Sequence, residues 1–164
     1  MIETARGTVH EWQRDHMGHI NVRAYVDFFE QAAWQFYTMI GLPPSALREG
    51  PVRIVAVQQN MGYKQELQPG DTVVVRTGVV EIREKVLRYR HELFNTETGA
   101  LSADGEFTVV CIDAGTRKSC PLPPAVAGLI FLTAPDYMRP LFTDPRGHIM
   151  LMIGAFWMTL GVLS

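Results

Sequence analysis

Cysteine is scarce, with two in 164 residues, which excludes a small secreted scaffold built on disulfides. Cys111 and Cys120 also lack the C-x-x-C spacing of a redox or zinc site, and the reducing compartment expected for such a chain disfavours a disulfide between them. A basic surplus is missing too: fifteen Lys and Arg face seventeen Asp and Glu, for a net charge of −2. With no basic stripe either, no nucleic-acid partner is expected. Residues Met1 to Thr8 carry Glu3 and Arg6 and no apolar run of signal-peptide length, so a cytoplasmic protein is the expectation. What is present is a globular composition, 47% hydrophobic and 20% charged. A single core in a chain of this size buries roughly 68–70% of the unfolded surface and needs no structural metal. Small-molecule chemistry is the class that remains.

The strongest periodicity runs from about Val22 to Ile40. Tyr25, Phe28, Phe29, Ala32, Ala33, Phe36, Met39 and Ile40 fall at three- and four-residue steps, opposite Arg23, Asp27, Glu30 and Gln31, which predicts an amphipathic helix. Asn21 stands as its N-cap, and Gly41 with Pro43 and Pro44 supplies the stop. A strand at about Thr4 to Gln13 precedes it. After it the period becomes two, predicting strands at Val52–Met61, Thr72–Arg83, Leu87–Leu93 and Ala100–Asp113 in meander-like succession. Glu84 and Lys85 fall at a tight hairpin turn. Leu87, Tyr89, His91 and Leu93 alternate with Arg88, Arg90 and Glu92, giving one buried and one solvated face. The fold class is α+β, an antiparallel sheet curled around one long central helix.

Chemistry is expected at Asp15-His16-Met17-Gly18-His19-Ile20-Asn21. With Asn21 as cap, the backbone N–H groups of Val22 and Arg23 point outward at the positive end of the helix dipole, a site suited to a developing oxyanion. Asp15 lies just upstream, and Gly18 allows the tight path that returns its carboxylate towards those amides. A carboxylate beside an oxyanion hole suits acyl transfer. The plainer reading of Asp15 is a turn residue whose carboxylate caps its own loop. His16 and His19 lack further ligands at metal-binding spacing, so no metal is expected.

Asp15, Gly18, His19 and Asn21, followed by Tyr25, Phe28, Phe29 and Glu30, form Asp-x-x-Gly-His-x-Asn before an aromatic-rich helix. With Tyr63-Lys64, Pro69-Gly70-Asp71 and Pro121-Leu122-Pro123, this resembles the hot-dog-fold thioesterases of the 4-hydroxybenzoyl-CoA thioesterase family over roughly residues 4–125. The resemblance implies an acyl-CoA substrate, with coenzyme A as part of that substrate and no separate cofactor. It implies Asp15 as nucleophile or general base, the Val22 amide as oxyanion donor, and a homodimer or homotetramer with the site between subunits. Where many relatives carry a second asparagine and an earlier aspartate, this chain has Val22 and Gln13, and Trp12 sits one position out of step. Gly18, His19, Asn21 and Tyr25 are the expected substrate-binding residues beside Asp15. Gln58, Gln59 and Asn60 are candidates to orient substrate or water across a dimer interface, or ordinary edge-strand polarity. Lys64, Arg88 and Arg90 are either phosphate contacts or a solvated strand face. Two other activities stay open, a hot-dog hydratase or dehydratase and a non-catalytic acyl-CoA-binding module.

The expected domain spans 1–125, with a C-terminal extension over 126–164. Its apolar stretch from Ile149 to Leu163, read as a helix, would be roughly 23 Å long, short of the ~30 Å hydrocarbon core. A packed element is expected there, with Gly147, Gly154 and Gly161 on one face, and a membrane is not.

Overall fold

The computed structural model describes residues 1–124 and 126 and the backbone of 149–153 and 156–160. Its main unit is a five-stranded antiparallel sheet of β1 (Ile2–Thr8), β2 (Val52–Tyr63), β3 (Thr72–Ile82), β4 (Val86–Asn95) and β5 (Leu101–Asp113), packed on helix α1 (Val22–Met39). The spatial order is β1-β3-β4-β5-β2. This is the α+β arrangement expected of a hot-dog fold.

Helix α1 buries Ala24, Tyr25, Phe28, Phe29, Ala32, Phe36 and Tyr37, one stripe at helical spacing. The strands meet it with period-two faces: on β4, Leu87, Tyr89, His91 and Leu93 are buried between half-exposed Arg88, Arg90 and Glu92. Gly7 sits where an added Cβ would lie 2.5 Å from the Phe28 ring. A bare backbone there lets α1 close onto β1. The β3–β4 hairpin turns at Glu84-Lys85, with Arg83 and Val86 exchanging backbone bonds of 2.8 and 3.3 Å.

Several expectations are corrected. The first strand ends at Thr8, and Glu11–Gln13 forms a 3₁₀ turn instead of continuing it. Pro43-Pro44 both stops α1 and starts a short helix, α2 (Pro44–Glu49), because proline fits the first helical turn, where no N–H partner is needed. The strands are not a simple meander. Only β3, β4 and β5 run consecutively, while β2 lies on the far edge beside β5. The β2–β3 connection therefore crosses the sheet, anchored by fully buried Leu67 and by backbone bonds of Leu67 to Ile20 and of Gly70 to Val9. The apolar tail is not helical in its described parts. Ile149–Ile153 and Phe156–Leu160 form antiparallel strands β6 and β7. Gly147, Gly154 and Gly161 lie outside the described residues. Among the described residues no helix is long and apolar enough to cross a membrane.

His91 is completely buried beneath α1, stacked on Phe29 at 5.5 Å, with Nδ1 2.7 Å from Thr77 Oγ1. Thr77 Oγ1 in turn meets Thr4 Oγ1 at 2.7 Å. Nε2 has no partner among the described residues. Burial pulls its pKa down to about 3. Because the unfolded chain binds this proton near pH 6.5 and the folded one does not, stability is full above pH 6.5 and falls as pH drops from there towards 3. The slope reaches about 1.4 kcal/mol per pH unit for one proton. Melting temperatures between pH 7 and 4 should fall more steeply for the native chain than for His91→Gln. Parallel curves would show that His91 is not the source.

Candidate active site

The loop before α1 is a small antiparallel ladder. Arg14 bridges Ile20, Asp15 N–H donates to His19 O at 2.9 Å, and Asn21 N–H donates to Gln13 O at 2.8 Å. Gly18 makes the reversal with φ +92°, a conformation that side chains resist. The bond from Ile20 N–H to Leu67 O (2.9 Å) pins this ladder to the crossing connection.

Asp15 is mostly buried, with 16% of its side chain exposed. Oδ1 accepts from Met17 N–H at 2.8 Å, so the turn-capping role exists. Oδ2 is not used by that turn and faces His19 Nδ1 at 3.6 Å. Nε2 of His19 lies 3.7 Å from Glu66 Oε1, placing the imidazole between two carboxylates. Glu66 comes from the crossing connection, and no local motif marked it. His16 is exposed and outside this cluster. Among the described residues no group of three or more His, Cys, Asp or Glu side chains could hold a metal ion.

Asn21 caps α1 as expected, its side-chain oxygen accepting from Arg23 N–H at 2.9 Å. The expectation of two free amides is corrected by that bond, because the cap occupies the Arg23 N–H. The Val22 N–H meets no acceptor among the described residues, and the exposed Val22 leaves it at the helix end. Tyr25, one turn on, is buried, stands edge-on to Tyr63 at 5.2 Å, and donates its hydroxyl to Gln65 O at 3.4 Å. Burial raises its phenol above the ordinary range. Replacing Asn21 with alanine should cost about 0.5–2 kcal/mol in urea denaturation. It should also lower turnover, since the cap orients the first turn. Lost stability with full turnover would show that the Val22 amide does no chemistry.

A groove of about 450 Å³ opens between the 3₁₀ turn and α1 and reaches Gln13, two residues before Asp15. Trp12, Asp27, Phe28, Glu30 and Trp34 line it, a size suited to a small ligand. Trp12 stacks on His10 at 4.3 Å, in the 3₁₀ turn and not in a strand. Gln58, Gln59 and Asn60 are placed elsewhere. Gln58 and Asn60 pair with Thr108 and Glu106 and share their outer sheet face, whereas Gln59 pairs with Phe107 on the helix side. All three are exposed on edge strand β2, and one chain does not bring them to Asp15. The basic candidates are occupied by carboxylates: Arg88 pairs with Glu81 (3.1 Å) and Glu106, Arg90 with Asp104 (2.6 Å) and Glu92 (3.1 Å), and Lys64 with Asp104 (3.4 Å). A phosphate would have to displace them.

Comparison with known proteins gives a consistent picture. The model of the thioesterase-like superfamily matches residues 9–130. Among solved structures, a 1,4-dihydroxy-2-naphthoyl-CoA thioesterase from Synechocystis is similar at TM-score 0.72 and 19% identity, covering 80% of this chain and 97% of that one. A DHNA-CoA thioesterase from Staphylococcus aureus gives TM-score 0.67 and 25% identity over 74% of this chain and 82% of that one. A further Staphylococcus aureus protein, solved in complex with CoA, gives 0.72 and 20% over 82% and 89%. No curated protein matches the chain.

Proposed function

The chain belongs to the thioesterase-like superfamily and is a thioester hydrolase; we propose that Asp15 and the Val22 amide carry out that hydrolysis on an acyl-CoA or a related acyl thioester. The observation that supports this is the division of labour at the loop. One Asp15 oxygen is fixed by Met17 N–H while the other is left for chemistry, on the same ladder that presents a helix N–H with no acceptor among the described residues.

The thioester carbonyl oxygen accepts from Val22 N–H, which stabilises the negative charge that grows as the carbon becomes tetrahedral. Oδ2 of Asp15 either takes a proton from the attacking water or attacks the carbon itself, forming an anhydride that water then opens. The C–S bond breaks, the thiolate leaves and is protonated, and the acid is released. Asp27 and Glu30 repel the phosphates of CoA, so the groove they line takes the acyl end. Gly18, His19, Asn21 and Tyr25 shape the loop and helix start around it.

The working unit in this reading is a homodimer, with pairing of dimers into a tetramer as a further step. Strand β2 is the edge that fits, because residues 55–60 are exposed on both of its faces and Val57 keeps 59% of its surface. Gln58, Gln59 and Asn60 then lie at the junction and reach the site of the other copy. The two other activities are separated by products. Saturated and α,β-unsaturated acyl-CoAs should both release free thiol. Hydration of the unsaturated substrate without thiol release would identify a hydratase, and binding without turnover of either would identify a binding module.

A further inference from the structure

Strand β5 outruns its neighbour β4, whose pairing with it ends at Val86 opposite Val110. Beyond that point the chain returning from the turn after Asp113 lies beside β5. Ile112 bridges Ser119, Asp113 N–H donates to Lys118 O at 2.9 Å, and Cys120 N–H donates to Cys111 O at 2.9 Å. This register sets Cys111 opposite Cys120. Opposed residues of an antiparallel pair lie about 4.5–5.5 Å apart at Cα, inside the roughly 4.4–6.8 Å that a disulfide spans. The side chains also point the same way, with the two Sγ atoms 3.5 Å apart and both cysteines free.

We propose that Cys111 and Cys120 form a modification site, a dithiol that reacts with a low-molecular-weight disulfide and closes a bond between its own two sulfurs. The two thiols are unequal. Cys111 is buried, and burial together with Cys120 pushes its thiol up to about 12, so it is a poor first attacker. Cys120 is partly exposed and meets the reagent first. Its thiolate attacks one sulfur of R–S–S–R and displaces R–S⁻, leaving a mixed disulfide on Cys120. The Cys111 sulfur then attacks the Cys120 sulfur and displaces the second R–S⁻. Two cysteine thiols are oxidised, one external disulfide is reduced, and the two protons end on two R–SH. The closed bond ties β5 to the segment that runs on into Leu122, whose N–H donates to Glu84 O at 2.8 Å at the β3–β4 turn. It therefore anchors the point where the C-terminal extension leaves the sheet.

The test treats the full chain with oxidised glutathione at neutral pH, quenches with acid, alkylates and weighs the intact protein. Both thiols should disappear together with no glutathione retained, and the oxidised protein should melt at a higher temperature than the reduced one. Cys111→Ala should hold a glutathione on Cys120, whereas Cys120→Ser should leave Cys111 unmodified over the same time. A native chain that stops at the mixed disulfide, or keeps both thiols under these conditions, overturns the proposal. The native mass decides this alone, whether or not either variant folds.

Discussion

Asp15→Asn is expected to lower thioester turnover by at least about a hundredfold, the low end for loss of a general base, while leaving the melting temperature level. Asparagine keeps a side-chain oxygen for the Met17 N–H, so the bond that fixes the loop survives. What it loses is the negative charge at Oδ2, the oxygen that faces His19 and takes no part in the turn. An amide neither accepts a proton from water at neutral pH nor attacks a thioester. If Asp15 served the turn alone, the variant would work as well as the native chain. Activity above about a tenth of native would be too much for an essential base and would remove Asp15 from the chemistry. Thiol release and melting temperature must be read on the same preparation, since only a folded but inactive protein separates the two roles.

Phe29→Ala is expected to produce the largest loss of stability, about 3–5 kcal/mol. Phe29 is 1% exposed, lies over the His91 ring and meets Phe107 edge-on at 5.8 Å, so its removal opens a void where helix and sheet join. Gly105, opposite His91, has no side chain to fill it, and an added Cβ there would meet the rings of Phe107 and Phe29 at 2.7 and 3.3 Å. Urea denaturation measures the effect. Turnover per folded molecule should fall far less than with Asp15→Asn, because the loop is held mainly by its own ladder and by Leu67. A loss below about 1 kcal/mol would mean that the core collapses around the gap instead of depending on this ring.

Where a structural decision is local, the residues announce it. Helix α1 was legible because its aromatic stripe, its Asn21 cap and its Gly41 stop all agree. The two faces of β4 were legible because arginines and glutamate alternate strictly with apolar residues. The position of β2 was not, since strand order depends on where the Lys64–Asp71 connection travels, and only the burial of Leu67 reveals the crossing. For the same reason Glu66 escaped notice beside His19, forty-seven residues away in sequence by simple difference of their numbers. Pro44 misled because a helix-stopping proline and a helix-starting one look alike in sequence. The tail misled because Ile149–Ile153 and Phe156–Leu160 contain almost no polar residues, so neither period shows and length arguments assumed a helix. The loop from Asp15 to Asn21 was readable as a motif. That Arg23 N–H is spent on the cap, while Val22 N–H meets no acceptor among the described residues, required the geometry.

The most direct measurement of the proposed chemistry is a crystal structure of Asp15→Asn bound to an intact acyl-CoA. The expected structure has the thioester oxygen about 2.7–3.1 Å from Val22 N. The thioester carbon should lie within roughly 3–3.5 Å of the substituted side chain, or of a water held by it. A thioester bound in any other place, for example along the outer face beside Arg88 and Arg90, with the Val22 N–H facing solvent, would contradict the assignment of the site.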